Sequence, residues 1–283
     1  MIVEQSYTRV TLALDIVRRI PDGPYRGFHE LGSVKHKIDL CDTVGIEESA
    51  TDAIECADPL VPRDERNTCL KVVSRLRKKF GIDRHVRITM EKRIPVQGGL
   101  AGGSANAATT ISILNRLWGL HLSIAECIDL GRTIGMDIPF YFLGGSAFDS
   151  EAGLRLEPID TGCTFTFLLA CPEFGVPTAE AYAGLDYTRI GHERKRTQAL
   201  CAALAAGDDK SVFRCMHNDF EESVFSRYPR LAAIKGELLS AGCSAAVLTG
   251  SGSTIIGIAA DRRHAEAMRG ALSCRTIIAE TLK

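Results

Sequence analysis

A glycine-rich run ahead of an alanine-rich segment constrains the fold of this chain more than any other feature. It reads PVQGGLAGGSANAA at residues 95–108. It follows an alternating segment that predicts a strand at 86–90 and precedes a predicted helix at 105–117. Because glycine has no Cβ, its backbone N–H groups can approach a charged group closely, and the helix points its positive dipole end to the same place. A loop of this kind between a strand and a helix is typical of polyphosphate binding.

The run supplies the candidate phosphate-binding residues. They are Pro95, Gly98, Gly99, Leu100, Ala101, Gly102, Gly103, Ser104 and Ala105. The Ser104 hydroxyl is also the candidate contact to a magnesium ion carried by ATP. No Lys-Ser/Thr pair follows the last glycine, so the run is not a Walker A sequence, and it does not fit GxGxxG either. The alternative is a close-packed loop whose glycines serve turns only.

A single carboxylate stands between apolar residues in the segment GMDIPF at 135–140. Near a substrate hydroxyl, Asp137 would accept the proton as phosphoryl transfer proceeds, so it is both the candidate catalytic base and a candidate substrate contact. The alternative is an Asp at a helix end that caps backbone amides.

Two further segments are candidates for the same chemistry. Gly250, Ser251 and Gly252 form a second glycine turn between apolar strands, where they would contact the substrate, although a hairpin alone also needs glycines. Arg9 lies on the first predicted strand, where its charge would stabilise a transferring phosphoryl group. The alternative for Arg9 is an exposed, solvated arginine.

Composition excludes several classes of partner. The chain has 283 residues, with 34 Lys and Arg against 35 Asp and Glu, so its net charge of -1 gives no general attraction to nucleic acid or anionic membranes. No apolar run is long enough for a membrane span, and the start has no signal-peptide pattern. The ten cysteines form no CxxC pair, which favours reduced thiols in the cytoplasm. We expect a small-molecule substrate and a monomer or weak homodimer.

The order of the predicted elements indicates an α+β protein with two domains. The segment EPIDTG at 157–162 is typical of a domain junction. We therefore predict domains at 1–160 and 161–283.

These segments, in this order, resemble the GHMP kinase superfamily, and within it the 4-diphosphocytidyl-2-C-methyl-D-erythritol kinase family. Residues 94–108 are similar to its pattern IPxxxGLxGGSS[ND]AA, with Ala105 in place of the second serine. The similarity extends to LNRLW at 114–118, GMDIP at 135–139, PTAEAY at 177–182 and NDFE at 218–221. Asp22, Gly23 and the segment FHEL at 28–31 resemble a part of the cytidine pocket.

The resemblance implies a two-domain GHMP kinase fold, with an N-terminal domain like ribosomal protein S5 domain 2 and a ferredoxin-like C-terminal domain. It implies ATP and Mg²⁺ as cofactors and phosphorylation of a hydroxyl of the cytidylated alcohol in non-mevalonate isoprenoid biosynthesis. Phe28 and His29 would contact the cytosine, and residues 250–252 would shape the floor of the site.

The chain also departs from the family pattern. Arg9 stands where the family has a lysine, residues 24–27 are additional, and Phe28 replaces a tyrosine. Arginine keeps the charge but has a wider fork than lysine. Two alternatives therefore stay open: a GHMP kinase for another alcohol (a sugar, homoserine or a mevalonate-like acid), and a nucleotide-binding relative without transfer activity.

Overall fold

The computed structural model describes residues 1–22, 26–27, 29–151 and 154–282. The chain divides into two compact units, which are described separately. Unit 1 contains residues 1–8, 40–96 and 101–143, and unit 2 contains residues 9–39, 97–100 and the described residues from 144 onward. Two long strands, β1 (Ile2–Arg19) and β2 (His29–Ser49), contribute residues to both units.

Unit 1 is a layer of helices on a small sheet. Its further elements are β3 (Ala53–Cys56), α1 (Thr68–Phe80), β4 (His85–Glu91), α2 (Gly102–Leu117), α3 (Ile124–Arg132) and a 3₁₀ turn, Ile138–Phe142. The strand β4 pairs antiparallel with the end of β2, from Thr43 opposite Glu91 to Ser49 opposite His85, and parallel with β3. The strand β4 therefore ends beside Thr43, and residues 92–94 connect it to the glycine-rich run.

The helices of unit 1 are fixed by caps and by one apolar core. Asn67 caps α1 by accepting a hydrogen bond from the Cys69 amide, and Ser123 with Glu126 forms the capping box that starts α3, as its sequence predicts. The core contains Val44, Ile46 and Ile88 of the sheet, Val72 and Leu76 of α1, and Ile111 and Leu114 of α2. Burial of these side chains drives the packing of both helices on the sheet.

Unit 2 contains the remaining elements. They are β5 (Ser146–Ser150), β6 (Arg155–Ile159), β7 (Thr166–Cys171), α4 (Thr178–Ala183), α5 (Arg194–Ala206), α6 (Asp209–Cys215), β8 (His217–Asn218), α7 (Phe220–Arg227), α8 (Pro229–Ala241), β9 (Ala246–Leu248), β10 (Ile255–Ala259), α9 (Arg262–Met268) and β11 (Arg275–Glu280).

Two sheets organise unit 2. An antiparallel sheet has the strand order β11-β7-β10-β9, and its core includes Leu168, Ile255, Ile234 and Leu238. Elsewhere β5 pairs with the first half of β2 and with β6, and β1 pairs parallel with β8 through Ala13 and His217. This parallel pair places β8 beside the strand that carries Arg9.

Two of the predicted segments need correction. The helix predicted from 105 begins at Gly102, because Gly102 and Gly103 are helical themselves. The predicted junction at 157–162 is wrong in its first three residues, since Glu157 to Ile159 pair with β5 in the strand β6. The domain boundary at residue 160 stays a prediction. None of the described helices has both the length and the apolar character that a membrane span needs.

Candidate active site

The glycine-rich run divides between the two units. Residues 97–100 belong to unit 2, and residues from 101 onward belong to unit 1. Gln97, Gly99 and Ala101 adopt left-handed backbone angles, with φ of 57°, 75° and 52°. Ala101 is the N-cap of α2 and forms no side-chain cap hydrogen bond. The Ser104 amide donates to the Ala101 carbonyl at 3.0 Å. Because the first-turn amides of a helix lack the usual intrahelical partner, an alanine cap leaves the amides of Gly102 and Gly103 to a ligand or solvent.

Contacts within unit 1 fix the start of α2. The Thr68 hydroxyl donates to the Gly103 carbonyl at 2.9 Å, and the Tyr141 hydroxyl donates to the Ala101 carbonyl at 3.1 Å. A Cβ at Gly102 would lie 2.8 Å from Cγ2 of Ile94, so the helix packs directly on the residue before Pro95. Ser104 is partly exposed in the first turn of the helix, and Ala105 is buried.

Asp137 lies in unit 1, directly before the 3₁₀ turn Ile138–Phe142. Its side chain forms no cap hydrogen bond to that turn, and it is partly exposed. Phe140, three residues later, is fully buried and fixes the segment in place. The Asp137 side chain therefore does not cap the turn that follows it, and a buried segment fixes its position.

In unit 2, the two predicted glycine segments contact each other through their backbones. The Thr254 amide donates to the Gly98 carbonyl at 3.2 Å. A Cβ at Gly99 would lie 2.1 Å from the Thr249 carbonyl oxygen, and one at Gly250 would lie 2.7 Å from the Gly99 carbonyl oxygen. Real Cβ atoms do not approach so closely, so this contact requires glycine on both sides.

Arg9 is buried beside this contact, with 5% of its surface exposed. Its Nη1 donates to the Gly99 carbonyl at 2.8 Å and to the Thr11 hydroxyl at 3.1 Å. The Thr11 amide in turn donates to the Thr249 hydroxyl at 2.9 Å. The alternative of an exposed, solvated arginine is wrong, because Arg9 holds the first glycine segment to the strand β1.

Asn218, on β8, holds the second glycine turn. Its Nδ2 donates to the carbonyls of Leu248 and Gly250 at 2.7 and 2.8 Å, and its Oδ1 accepts from the Phe220 amide at 2.9 Å. Ser251 contacts the Thr178 hydroxyl through its own hydroxyl at 3.2 Å. The conformation of the predicted 250–252 turn is thus set by a buried amide.

His29 belongs to an aromatic cluster in unit 2. Its ring stacks on Tyr182 with a centroid distance of 4.1 Å, and its Nε2 lies 2.6 Å from the Tyr187 hydroxyl. Burial, and then the nearby charge of Arg19, lower the pKa of His29. The imidazole is therefore neutral near pH 7, with one donor and one acceptor nitrogen. Phe28, the other predicted cytosine contact, lies outside the described residues.

Four side chains of the candidate site could not be identified from the sequence. Asn218 is part of the NDFE segment, but nothing in the sequence indicates that its amide reaches residues 248 and 250. Tyr182 and Tyr187 have no distinguishing feature in the sequence. The structure shows that His29 stacks on Tyr182 and contacts Tyr187. Asp42, which lies on β2 between Cys41 and Thr43, accepts hydrogen bonds from the amides of Arg93 and Ile94. No feature of the sequence marks it as a support of the glycine-rich run.

Family models match both halves of the chain. The one described as "GHMP kinases N terminal domain" matches residues 67–145, and the one described as "GHMP kinases C terminal" matches residues 200–278. A relative from Gloeobacter violaceus named 4-diphosphocytidyl-2-C-methyl-D-erythritol kinase is 39% identical over 273 residues, which cover 95% of this chain and 89% of the relative. The chain belongs to the GHMP kinase family.

Further relatives agree with this assignment. A Bacillus cereus protein named 4-diphosphocytidyl-2-C-methyl-D-erythritol kinase is 36% identical over 252 residues. These residues cover 88% of this GHMP kinase and 85% of the relative. A crystal structure of 4-(cytidine 5'-diphospho)-2C-methyl-D-erythritol kinase matches all of both chains with a TM-score of 0.79 at 27% identity. The homoserine kinase of Cytophaga hutchinsonii shares the fold, with a TM-score of 0.72 at 18% identity. The match covers 98% of this chain and 94% of that kinase.

The comparisons confirm the two-domain α+β GHMP kinase fold that the resemblance implies. They also show that this chain is an ATP-dependent small-molecule kinase, with ATP as co-substrate.

Proposed function

We propose that this GHMP kinase transfers the γ-phosphoryl group of ATP to a hydroxyl of 4-diphosphocytidyl-2-C-methyl-D-erythritol, a step in non-mevalonate isoprenoid biosynthesis. The observation that carries the proposal is identity of 39% and 36% to kinases of that name over most of the chain. The segments shared with that family extend beyond the phosphate loop to the aromatic cluster at His29, which supports this acceptor rather than a general alcohol.

The ATP phosphates bind along Pro95, residues 98–101 and the first turn of α2. Ala101 supplies no capping side chain and Gly102 and Gly103 have none, so the backbone amides there can face a polyphosphate. Mg²⁺ would bind as its complex with ATP. Ser104 would hold the ion through its hydroxyl, and the ion would neutralise charge on the phosphates.

Asp137 orients the acceptor hydroxyl and accepts its proton. The proton leaves as the new O–P bond forms, and the bond from the γ-phosphorus to the bridging oxygen of ADP breaks. The carboxylate is partly exposed beside a segment that Phe140 anchors in the core, which supports a role in chemistry. Arg9 adds positive charge and holds Gly99, so it acts on the phosphates both by charge and through the loop.

The cytosine ring binds at the aromatic cluster. Nε2 of the neutral His29 imidazole contacts the Tyr187 hydroxyl, so Nδ1 is the ring nitrogen that would meet the amino donor or the N3 and O2 acceptors of cytosine. Tyr182 adds an aromatic face, and Phe28 would add a second. Gly250, Ser251 and Gly252 form the floor on which the acceptor lies.

We also propose domains at 1–160 and 161–283, a cytoplasmic location, and a monomer or weak homodimer. Seven of the ten cysteines are buried as free thiols, which is ordinary for a reducing compartment.

The test is the identity of the product. The purified chain is incubated with ATP, magnesium and the cytidylated methylerythritol, and the product is followed by mass spectrometry and phosphorus NMR. We expect the gain of one phosphoryl group as a new phosphomonoester with the diphosphate bridge intact. Phosphorylation of the uncytidylated alcohol at the same rate would show that the cytidine is not recognised, and the proposed acceptor would then be wrong.

A further inference from the structure

Asp42 is a heavily hydrogen-bonded buried carboxylate of unit 1. It lies on β2, one residue before Thr43, which is the first residue of β2 paired with β4. Its side chain is fully buried, with 0% exposed. Burial of a charged carboxylate carries a large cost unless every oxygen is paired, so the contacts of Asp42 indicate what this burial achieves.

One oxygen of Asp42 holds the chain before the glycine-rich run. Oδ1 accepts hydrogen bonds from the consecutive amides of Arg93 and Ile94 at 2.8 and 2.9 Å. The main-chain ladder between β2 and β4 ends at Thr43 and Glu91. The carboxylate thus continues the pairing after the strand ends and fixes the direction in which the chain enters the run.

The other oxygen holds the second turn of α2, beyond the glycines of the run. Oδ2 accepts from Nδ2 of Asn106, in the second turn of α2, at 3.0 Å, and it forms an ion pair with Lys92. Asn106 is 3% exposed, and its own Oδ1 is buried with no hydrogen-bond partner among the residues that the structure describes. An unpaired buried acceptor is destabilising, so the Asn106 side chain is oriented for Asp42 at the expense of its own oxygen.

Lys92 brings a buried positive charge to the same place. Its side chain is 7% exposed, and Nζ lies 3.4 Å from where a Cβ of Gly102 would be. The pair with Asp42 therefore packs against the first residue of α2, where the glycine leaves space for it. One carboxylate joins the last residues before the run to the helix that follows it.

We propose that Asp42 is a positioning residue of the ATP site, which sets the spacing of the two chain ends of the glycine-rich run through Arg93, Ile94 and Asn106. This inference rests on the proposed function, because it assigns the site to ATP phosphates. A small displacement of these ends would move the backbone amides away from the phosphate oxygens, which costs affinity for ATP and not for the acceptor alcohol.

The experiment uses Asn106→Leu, which removes only the tether to α2 and leaves the ion pair intact. Binding of an ATP analogue with a non-hydrolysable β,γ-bridge is measured by calorimetry, alongside the KM values for ATP and for the cytidylated alcohol. We expect Kd for the analogue and KM for ATP to rise by about tenfold, while KM for the alcohol stays within about twofold.

The matched control is Asn115→Leu in the same helix. Asn115 donates to the Leu122 carbonyl at 3.0 Å and accepts from its amide at 2.8 Å, far along α2 from the run. The Asn115→Leu variant should lose at least as much thermal stability as Asn106→Leu and keep the ATP affinity of the wild type. Equal losses of ATP affinity in both variants would make the effect one of general stability and would overturn the inference.

A second pair of variants covers Asp42 directly. Asp42→Asn alone leaves the Lys92 charge buried and unpaired and is expected to fold poorly, whereas Asp42→Asn with Lys92→Met removes both charges. The double variant should fold, and its affinity for ATP should fall by more than about tenfold. Its KM for the cytidylated alcohol should not change. Wild-type ATP affinity in the folded double variant and in Asn106→Leu would overturn this inference alone. Failure of the wild-type chain to bind the analogue would overturn the proposed function together with it.

Discussion

The guanidinium of Arg9 donates a hydrogen bond to the carbonyl of Gly99 at 2.8 Å. The two residues are 90 positions apart in sequence, and the contact holds the first glycine segment to the strand β1. The same nitrogen donates to the hydroxyl of Thr11, so a residue of β1 orients the guanidinium toward the loop. Arginine in place of the family lysine therefore contributes a structural contact as well as a charge.

Replacement of Arg9 should separate these contributions. Arg9→Met removes the charge and the hydrogen bond to Gly99, and we expect turnover to fall by about a hundredfold. Arg9→Lys keeps the charge but loses the planar fork, so turnover should fall by only about tenfold. Steady-state release of ADP measures both.

Arg196→Met is the control for these variants. Arg196 donates to the carbonyls of Arg214 and Met216, at 3.1 and 2.8 Å, so its loss also removes contacts between an arginine and the backbone. It should reduce stability without changing turnover more than about twofold. Turnover of Arg9→Met near the wild-type value would rule out a role for Arg9 in transfer.

Gly99 should tolerate no side chain. In Gly99→Ala, the new Cβ would meet the Thr249 carbonyl oxygen at 2.1 Å, and φ of 75° is unfavourable for alanine. We expect loss of several kcal/mol of unfolding free energy, of the order seen for core overpacking and backbone strain together. Urea denaturation measures this change.

Gly207→Ala isolates the backbone part of that effect. Gly207 has φ of 69°, and a Cβ added there would have no neighbour within 4 Å, so only the left-handed conformation opposes alanine. Its cost should be about 1–2 kcal/mol. If Gly99→Ala were no worse than this control, the close approach between residues 99 and 249 would not exist in solution.

Much of the fold could be predicted from sequence, because its elements have regular patterns. The predicted strand at 86–90 lies within β4, and the helix predicted at 105–117 lies within α2 and ends at the predicted residue. The helices α6 (Asp209–Cys215) and α7 (Phe220–Arg227) were not predicted, because seven or eight residues are too few to show helical periodicity clearly.

The glycines of the candidate site could be located from sequence, but their supports could not. Residues 98–104 and 250–252 stand out by composition alone. The side chains that hold them, Asn218 and Asp42, are separated from them by tens of residues and are identified only by the tertiary structure. Propensity contains no information on such long-range hydrogen bonds, and the same limit applies to the burial of Arg9.

The stability of the chain should fall in mild acid because of His36. Burial lowers the pKa of His36 from 6.5 to about 4, and its ring nitrogens contact the hydroxyls of Ser146 and Thr281 at 2.7 and 2.8 Å. The unfolded chain takes up the proton first as the pH decreases, so this stability is complete above pH 6.5 and is lost between pH 6.5 and 4. The loss amounts to roughly 3 kcal/mol.

Urea denaturation across that pH range, compared with His36→Gln, measures this contribution. Glutamine can bond the same two hydroxyls but does not titrate, so the variant should show a shallower decline in acid that lacks the contribution of His36. Identical pH profiles for the two proteins would mean that His36 does not remain neutral in the folded chain.

The most direct test of the proposed activity is release of ADP by the wild-type chain and by Asp137→Asn. Each is given ATP and magnesium with the cytidylated methylerythritol, mevalonate, homoserine or galactose in turn. We expect turnover by the wild type with the cytidylated alcohol alone, and a decrease of about a hundredfold or more in the variant with its ATP binding retained. Turnover with another alcohol instead would contradict the proposed acceptor, and near-normal turnover by Asp137→Asn would contradict its role as the base.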